Sequence, residues 1–472
     1  MYKSESIAVD PSAEENLSSN LKRANVLLLG LSVLSCCLFF FRPSSISITQ
    51  GILGLLITWV AFIPSFQYLK DRNPPPIPFI PLVGVYYFLT FGLPNFFEGA
   101  NVWGYNEISS EALVLALAGI SSLVFSQLFF KKVLENRVSP LRLSRSFPLN
   151  QLKILSWILL LSHFGAILTP TVSSVPSGTF LGPFGYISYG TFYFLWRQGK
   201  LNFLSLALVP TILCAEVVID FSSGALALIM GKFLFFIILL WYDQNRIPIK
   251  LIFFVVIFYW LLNPVKKEFR SLAWETGSQF NASATEKGIL FLDLTYKHYF
   301  ENNEREETDN DNLGRISNPI LFSTVIQHTP EIVPYWKGKS LAPLLTKFIP
   351  RELWPDKPKE NFGNIFGHRY GLIAPTDHKT SVNIPWMIEF YINFGNLGVV
   401  VGMGMAGIIL ALLDLKLNRK EMSFLEVVFG ATILMAIIYQ DSNFSLMMGS
   451  LIQQTIGLYL LFHIFLRLKP SG

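Results

Sequence analysis

Glu111-Ala-Leu-Val-Leu-Ala-Leu-Ala-Gly-Ile-Ser-Ser-Leu-Val-Phe-Ser-Gln-Leu-Phe-Phe-Lys-Lys132 decides the fold. After Glu111 no charge appears until Lys131. A run of about 18 apolar residues is long enough to cross a bilayer as a helix. Two lysines directly behind it mark the end that stays on the cytoplasmic side.

The same pattern recurs along the chain. Spans are expected at 24–41, 46–69, 77–97, 111–130, 149–168, 179–196, 201–220, 223–242 and 249–263, then at 386–413, 423–440 and 446–466. That makes about twelve transmembrane helices and an all-α, polytopic membrane fold. Of these, 179–196 is rich in Gly and Tyr, and 249–263 is short. Half of the residues are apolar and 15% are charged, against roughly 25% charged in soluble domains. Mean hydropathy is +0.45. Cys36, Cys37 and Cys214 all fall in apolar runs, so neither a disulfide framework nor a zinc site is expected; they read as small buried apolar residues.

The basic residues give the orientation. Short segments near 70–76, 131–148, 197–200, 243–250 and 414–422 carry Lys70, Arg72, Lys131, Lys132, Arg137, Arg142, Arg145, Arg197, Lys200, Arg246, Lys250, Lys416, Arg419 and Lys420. Those near 98–110, 169–178, 221–222 and 441–445 carry no Lys or Arg. Arg42 alone breaks the pattern. Such asymmetry places both termini in the cytoplasm. The net charge of +5 thus encodes topology and is not the footprint of a nucleic-acid partner. Residues 1–22 read as a disordered cytoplasmic tail and 467–472 as a second tail. Between them lie a first bundle, 24–263, a polar loop, 264–384, and a second bundle, 386–466. No cleavable signal precedes the first span.

The loop is where chemistry is expected. It carries fifteen Lys/Arg, fifteen Asp/Glu and four of the six histidines: His298, His328, His368 and His378. By the charge pattern it lies outside, where no ATP is available, so a substrate there must arrive already activated. Segments 316–333 and 341–349 are amphipathic and suited to the membrane surface. Its centre, Phe348-Ile-Pro-Arg-Glu-Leu-Trp-Pro-Asp-Lys-Pro358, is stiffened by three prolines around Arg351, Trp354, Asp356 and Lys357. Arg270 follows the ninth span directly, Arg315 opens an amphipathic segment, and Arg369 follows His368. Arginine suits a phosphate because its planar fork makes two parallel charge-assisted hydrogen bonds. His368, Asp377, His378 and Glu389 are base candidates. Trp354 suits either a sugar face or an interfacial belt. The glycines of Phe362-Gly-Asn-Ile-Phe-Gly-His-Arg-Tyr-Gly371 lack the strand and Gly-Lys-Ser/Thr of a nucleotide loop.

Inside the spans, Glu216 and Asp220 share a helix face, with Lys232 in the next span. These read as a structural ion pair, or as the wall of a substrate cavity or a proton path. Gly398 and Gly402 form a GxxxG that lets another helix approach.

The arrangement Asn263-Pro-Val-Lys-Lys-Glu-Phe-Arg270, then Phe348–Pro358, then Trp386-Met-Ile-Glu-Phe-Tyr-Ile-Asn-Phe-Gly395 resembles Wzy-type O-antigen and oligosaccharide repeat-unit polymerases. The likeness covers the C-terminal half; the N-terminal half matches only in hydropathy. One common pattern of that family, an Arg with a Gly eleven residues on, is absent at Arg270, Arg315 and Arg351. The resemblance implies a GT-C-like glycosyltransferase of the bacterial inner membrane that joins repeat units carried on undecaprenyl diphosphate, without metal or other cofactor. It implies Arg270, Arg351, Arg369, Arg315 and Lys357 on the diphosphate, Trp354 on a sugar, and the base among Glu389, Asp356 and His368. Lipid-linked oligosaccharide, membrane lipids, a flippase and a chain-length regulator are the implied partners. An O-antigen ligase-like transferase and a polyprenyl-sugar flippase or transporter are the alternatives.

Overall fold

The computed structural model describes residues 11–71, 73–97, 107–143, 148–168, 178–222, 226–244, 246–270, 272, 284–301, 317–346, 349, 354, 360–378 and 380–467. Among them every regular element is helical. The first helices are α1 (Pro11–Phe40), α2 (Ile48–Lys70), α3 (Phe79–Tyr87) and α4 (Ser110–Leu134). Next come α5 (Leu149–Leu168), α6 (Gly178–Arg197), α7 (Phe203–Ser222), α8 (Leu226–Gln244) and α9 (Ile249–Leu262). The polar stretch contributes α10 (Lys266–Arg270), α11 (Ala284–Phe300), α12 (Asn318–His328), α13 (Pro343–Thr346) and α14 (Phe362–Arg369). The last three are α15 (Trp386–Leu417), α16 (Phe424–Met435) and α17 (Phe444–Arg467).

Helices occupy all twelve expected spans. Nine of those described are long and apolar enough to cross a membrane, so the protein is membrane-embedded and polytopic. The other three are α6, α9 and α16. With 14 residues in α9 and 12 in α16, they reach about 21 and 18 Å, short of the ~30 Å hydrocarbon core. Helix α6 is long enough but carries too many Gly and Tyr among its apolar residues. The cysteines are a correction: all three are exposed on helix surfaces and free, the position of lipid-facing side chains.

The chain forms two compact units. The first comprises Met1–Val138, Leu313–Gly338 and Gly363–Leu415; the second, Ser139–Asn312, Lys339–Phe362 and Lys416–Gly472. The polar stretch 264–384 is therefore shared between them and is not a body of its own.

In the first unit α2 packs against α1, α3 and α4. Glycines set the approach: a Cβ on Gly84 would stand 2.1 Å from the Ala61 carbonyl oxygen. Helix α4 is capped by Ser109, whose Oγ accepts from the Ala112 N–H, while the Ser109 N–H donates to Ser323 Oγ of α12. Helix α12 corrects an expectation. Its residues Asn318–Val325 are all buried, so it is a core helix of this unit and does not lie on the membrane surface.

The span expected at 386–413 is bent back on itself. Gly395 sits at φ 66°, ψ −153°, a region essentially reserved for glycine. Phe390 and Gly402 would lie about 18 Å apart in a straight helix. Instead a Cβ on Gly402 would be 2.4 Å from the Phe390 ring, and one on Gly398 would be 2.4 Å from the Phe390 carbonyl oxygen. The Gly398/Gly402 pair thus receives the preceding arm of its own chain. The small residues that meet another helix are Gly404, against Ser122 and Ser126, and Gly407, whose Cβ would be 2.3 Å from the Leu123 carbonyl oxygen.

In the second unit α6 packs on α5 and α16, and α11 packs on α7. Leu152, Leu160, Tyr189, Phe192 and Leu425 form one core. Leu226, Ile229, Phe269, Phe291 and Leu294 form another. Helix α16 opens with a full capping box between Ser423 and Glu426, and Glu426 also accepts the Leu143 N–H. Helix α13 packs on α17.

Candidate functional site

The fold-back arm of α15 carries the sequence Trp386-Met-Ile-Glu-Phe-Tyr-Ile-Asn393, and every one of these residues is buried in the first unit. Met387 reaches Gly119 of α4, nine residues and about 14 Å along that helix from Ser110. From there the arm climbs toward the Ser110 end of α4 and turns at Gly395. Glu389 is wholly buried on it, at 0% exposure. This differs from a carboxylate at the wet mouth of a span. The fold-back places it inside packed protein, where a carboxylate needs a partner or a proton. Trp386 is likewise buried, at 1%, and serves the core, not an interfacial belt.

The upper end of the arm is capped by loop 333–338. The Trp336 and Lys337 N–H groups donate to the carbonyl oxygens of Ile392 and Asn393 at 2.8 and 3.2 Å. These carbonyls are left without intrahelical partners where the helix ends. Asn393 fixes both sides of the junction: its Oδ1 accepts the Gly338 N–H at 2.9 Å, and its Nδ2 donates to the Glu389 carbonyl oxygen at 2.8 Å. Lys337 adopts φ 52°, uncommon for a residue with a Cβ.

Helix α14 brings Arg369 to this loop and carries His368 beside it. Arg369 Nη2 donates to the Pro334 carbonyl oxygen at 2.7 Å. Its guanidinium carbon lies 5.6 Å from the centre of the Trp336 ring, within cation–π range. His368 Nε2 is buried with no hydrogen-bond partner, and its ring centre is 5.7 Å from that of His378. A buried imidazole nitrogen left open in this way calls for a missing partner. Close packing holds α14: a Cβ on Gly363 would be 2.1 Å from Ser381 Oγ. Asn364 Nδ2 donates to the carbonyl oxygens of Asp377 and Thr380.

Three tyrosines line the same region. Tyr370 and Thr329 share a 2.6 Å hydroxyl hydrogen bond, and Tyr391 donates to the Thr329 carbonyl oxygen at 3.2 Å. The Tyr335 ring is 6.2 Å from that of Tyr391, and its hydroxyl lies 2.9 Å from where a Gly395 Cβ would stand. Burial pushes the Tyr370 phenol above its ordinary range, against smaller opposing effects from Thr329 and Arg369, so it remains a neutral donor and acceptor.

The structure thus gathers Glu389, His368 and Arg369 into the first unit. Arg270 ends α10, and Trp354, half-buried, lies in the second unit. Arg315, Arg351, Asp356 and Lys357 lie outside the described residues, as does the side chain of Arg270. Tyr335, Tyr370, Tyr391 and Asn393 have no role that the sequence makes legible. Only the fold-back of α15 and the loop that caps it bring them together. A separate cavity of about 150 Å³, lined by Gln67, Tyr68, Asp71, Gln127, Lys131 and Asp414, lies at the opposite end of α4.

No curated protein matches the chain. No solved structure matches it either. A family model described as a domain of unknown function matches residues 186–469. That span takes in α7, the polar stretch and all of α15, well over half of the 472 residues, and the chain therefore belongs to the family DUF8712, a domain family of unknown function.

Proposed function

We propose that the protein is a membrane glycosyltransferase that joins oligosaccharide repeat units carried on a polyprenyl diphosphate, in the manner of Wzy-type polymerases. The observation that carries this reading is the fold-back arm of α15. It carries a buried carboxylate, Glu389, in the same unit as Arg369, an unsatisfied imidazole at His368 and three tyrosines, two of them buried. That combination supplies what glycosyl transfer from a diphosphate needs: a base and a cation.

In the reaction a sugar hydroxyl of the incoming unit attacks the anomeric carbon of the growing glycan. The bond from that carbon to the diphosphate oxygen breaks, and the electron pair leaves with the polyprenyl diphosphate. The hydroxyl proton passes to a base, with Glu389 first among Glu389, His368 and Asp356. Arg369 is the described cation for the departing diphosphate; Arg270, Arg315, Arg351 and Lys357 complete the proposed set, and Trp354 stacks on a sugar. The polar stretch faces the outside of the inner membrane, and both termini face the cytoplasm. Transfer to a different acceptor, as in an O-antigen ligase, uses the same donor chemistry.

The purified chain in lipid nanodiscs, given lipid-linked repeat units without added metal, should convert them to a ladder of products. Glu389→Gln should abolish the ladder while insertion and thermal stability persist. A wild-type protein that leaves the lipid-linked units single would sink the proposal. A second reading, a carrier of lipid-linked sugars, is favoured by the ionisable groups within the spans of the second unit. It predicts movement of the lipid-linked unit across a vesicle membrane with no change in its length.

A further inference from the structure

Four helices of the second unit bring ionisable side chains together within the bundle, and the transferase reading uses none of them. Helix α5 supplies His163, α6 supplies Tyr186 and Tyr189, α7 supplies Glu216 and Asp220, and α8 supplies Lys232. Glu216 is at 0% exposure. Its Oε1 accepts the Tyr189 hydroxyl at 2.6 Å and lies 3.3 Å from His163 Nε2. Lys232 Nζ is hydrogen-bonded to Asp220 Oδ2 and stands 3.6 Å from Glu216 Oε2, an oxygen that has no hydrogen bond.

The imidazole geometry fixes a proton count. His163 Nδ1 lies 2.8 Å from the Leu181 carbonyl oxygen. A carbonyl only accepts, so Nδ1 carries a hydrogen. Nε2 then faces the Glu216 carboxylate. If neither bore a proton, two lone pairs would oppose each other; one proton between Nε2 and Oε1 turns the contact into a hydrogen bond. The charges give the same count. Glu216 and Asp220 ionised with Lys232 charged sum to −1, and the shared proton brings the group to zero. An uncompensated charge at this depth is costly.

Of the other neighbours, Cys214 shares α7 with the acids, α16 brings Val428 against Gly190, and α11 brings Phe291 against Phe221 and Gly288, which follows Lys287, against Val218. The ring has its space because position 185 is glycine: a Cβ there would be 2.5 Å from the His163 imidazole.

We propose that His163 and Glu216 form a proton-binding site in the bundle of the second unit. Lys232 is its mobile counter-cation, bonded to Asp220 when the proton is present and drawn to the open Glu216 Oε2 when the proton leaves. The proton passes between solvent and the Nε2–Oε1 pair with no other bond made or broken. The second position of Lys232 needs a movement of under about 1 Å to reach hydrogen-bond distance. The site takes a proton whether or not the protein transfers sugars.

The test uses the full chain in lipid nanodiscs, with ring-¹⁵N-labelled histidine, titrated from pH 5 to 9. The wild-type His163 ring should change from imidazolium to the Nδ1–H tautomer in one step. Glu216→Gln should lower the midpoint by at least about one pH unit, a tenfold loss of proton affinity, because the carboxylate partner is gone. Tyr189→Phe should raise it, because the carboxylate then loses a competing donor. His163→Gln, which assigns the signal, should remove the step. Since Tyr189→Phe removes a single oxygen atom, its shift keeps the test readable even if the Glu216 variant does not fold. A wild-type ring that stays in one form throughout, or a midpoint that neither Glu216→Gln nor Tyr189→Phe moves, overturns the proposal.

Discussion

Gly395 is the residue on which the first unit turns. Its φ of 66° and ψ of −153° leave no room for a Cβ, which would also stand 2.9 Å from the Tyr335 hydroxyl. Gly395→Ala should therefore destabilise the protein by about 1–3 kcal/mol, read as a lower thermal midpoint in detergent. An unchanged midpoint would mean that the backbone there is relaxed. At Arg369 the expected effect is more local. Arg369→Ala removes a hydrogen bond to the Pro334 carbonyl oxygen and a contact with the Trp336 ring. The cost to stability should be on the order of 1–2 kcal/mol, while the loss of transfer should be far larger. Arg369→Lys separates the two roles: it keeps the charge but not the planar fork, so transfer should recover only in part. Equal activity in the arginine and alanine proteins would remove Arg369 from the site.

At the scale of helices, close approach rests on small residues used in two different ways. Gly398 and Gly402 admit the arm that precedes them, whereas Gly404 and Gly407 admit α4. A hydropathy window reads 386–413 as one span because both arms are apolar; it contains no information on the sign of φ at Gly395. The GxxxG was legible as a packing face, but its partner was not, since small residues fit any close backbone. Gly407→Leu should force α15 from α4 and cost several kcal/mol, seen as loss of folded protein in fluorescence-detected size exclusion. Gly30→Leu is the matched control, for a Cβ there meets nothing within 4 Å and folding should be unaffected. Helix α12 shows the reverse error. Its mixed apolar and polar residues match a surface helix, yet Ser323 and Thr324 satisfy their hydroxyls on the Pro319 and Ile320 carbonyls and can be buried whole. In the polar stretch α11 does expose an apolar face, through Ile289, Leu292, Tyr296 and Phe300.

For the whole molecule, the charge pattern makes a prediction that chemistry can read. With Cys36, Cys37 and Cys214 replaced, single cysteines at Glu421 and at Asn310 should label from opposite sides of the membrane with a thiol reagent that cannot cross it: Asn310 from outside, Glu421 only after permeabilisation. Labelling of both from one side would reverse the orientation assigned to the polar stretch.

The sequence by itself determined that the chain is a polytopic membrane protein with many apolar helices, a one-sided distribution of basic residues and one large polar stretch. Those properties depend on composition over windows of about twenty residues, and so survive any arrangement of the helices. It also singled out Glu389, His368 and Arg369, because ionisable groups beside apolar spans are conspicuous in one dimension. Only the tertiary structure decided that Glu389 rides a buried fold-back arm, that loop 333–338 caps that arm, and that His163 belongs with Glu216 and Lys232. Glu216 and Asp220 are four residues apart, which a helix makes visible in the sequence. His163 lies 53 residues before Glu216, and only the packing of α5, α6 and α7 brings the two within 3.3 Å.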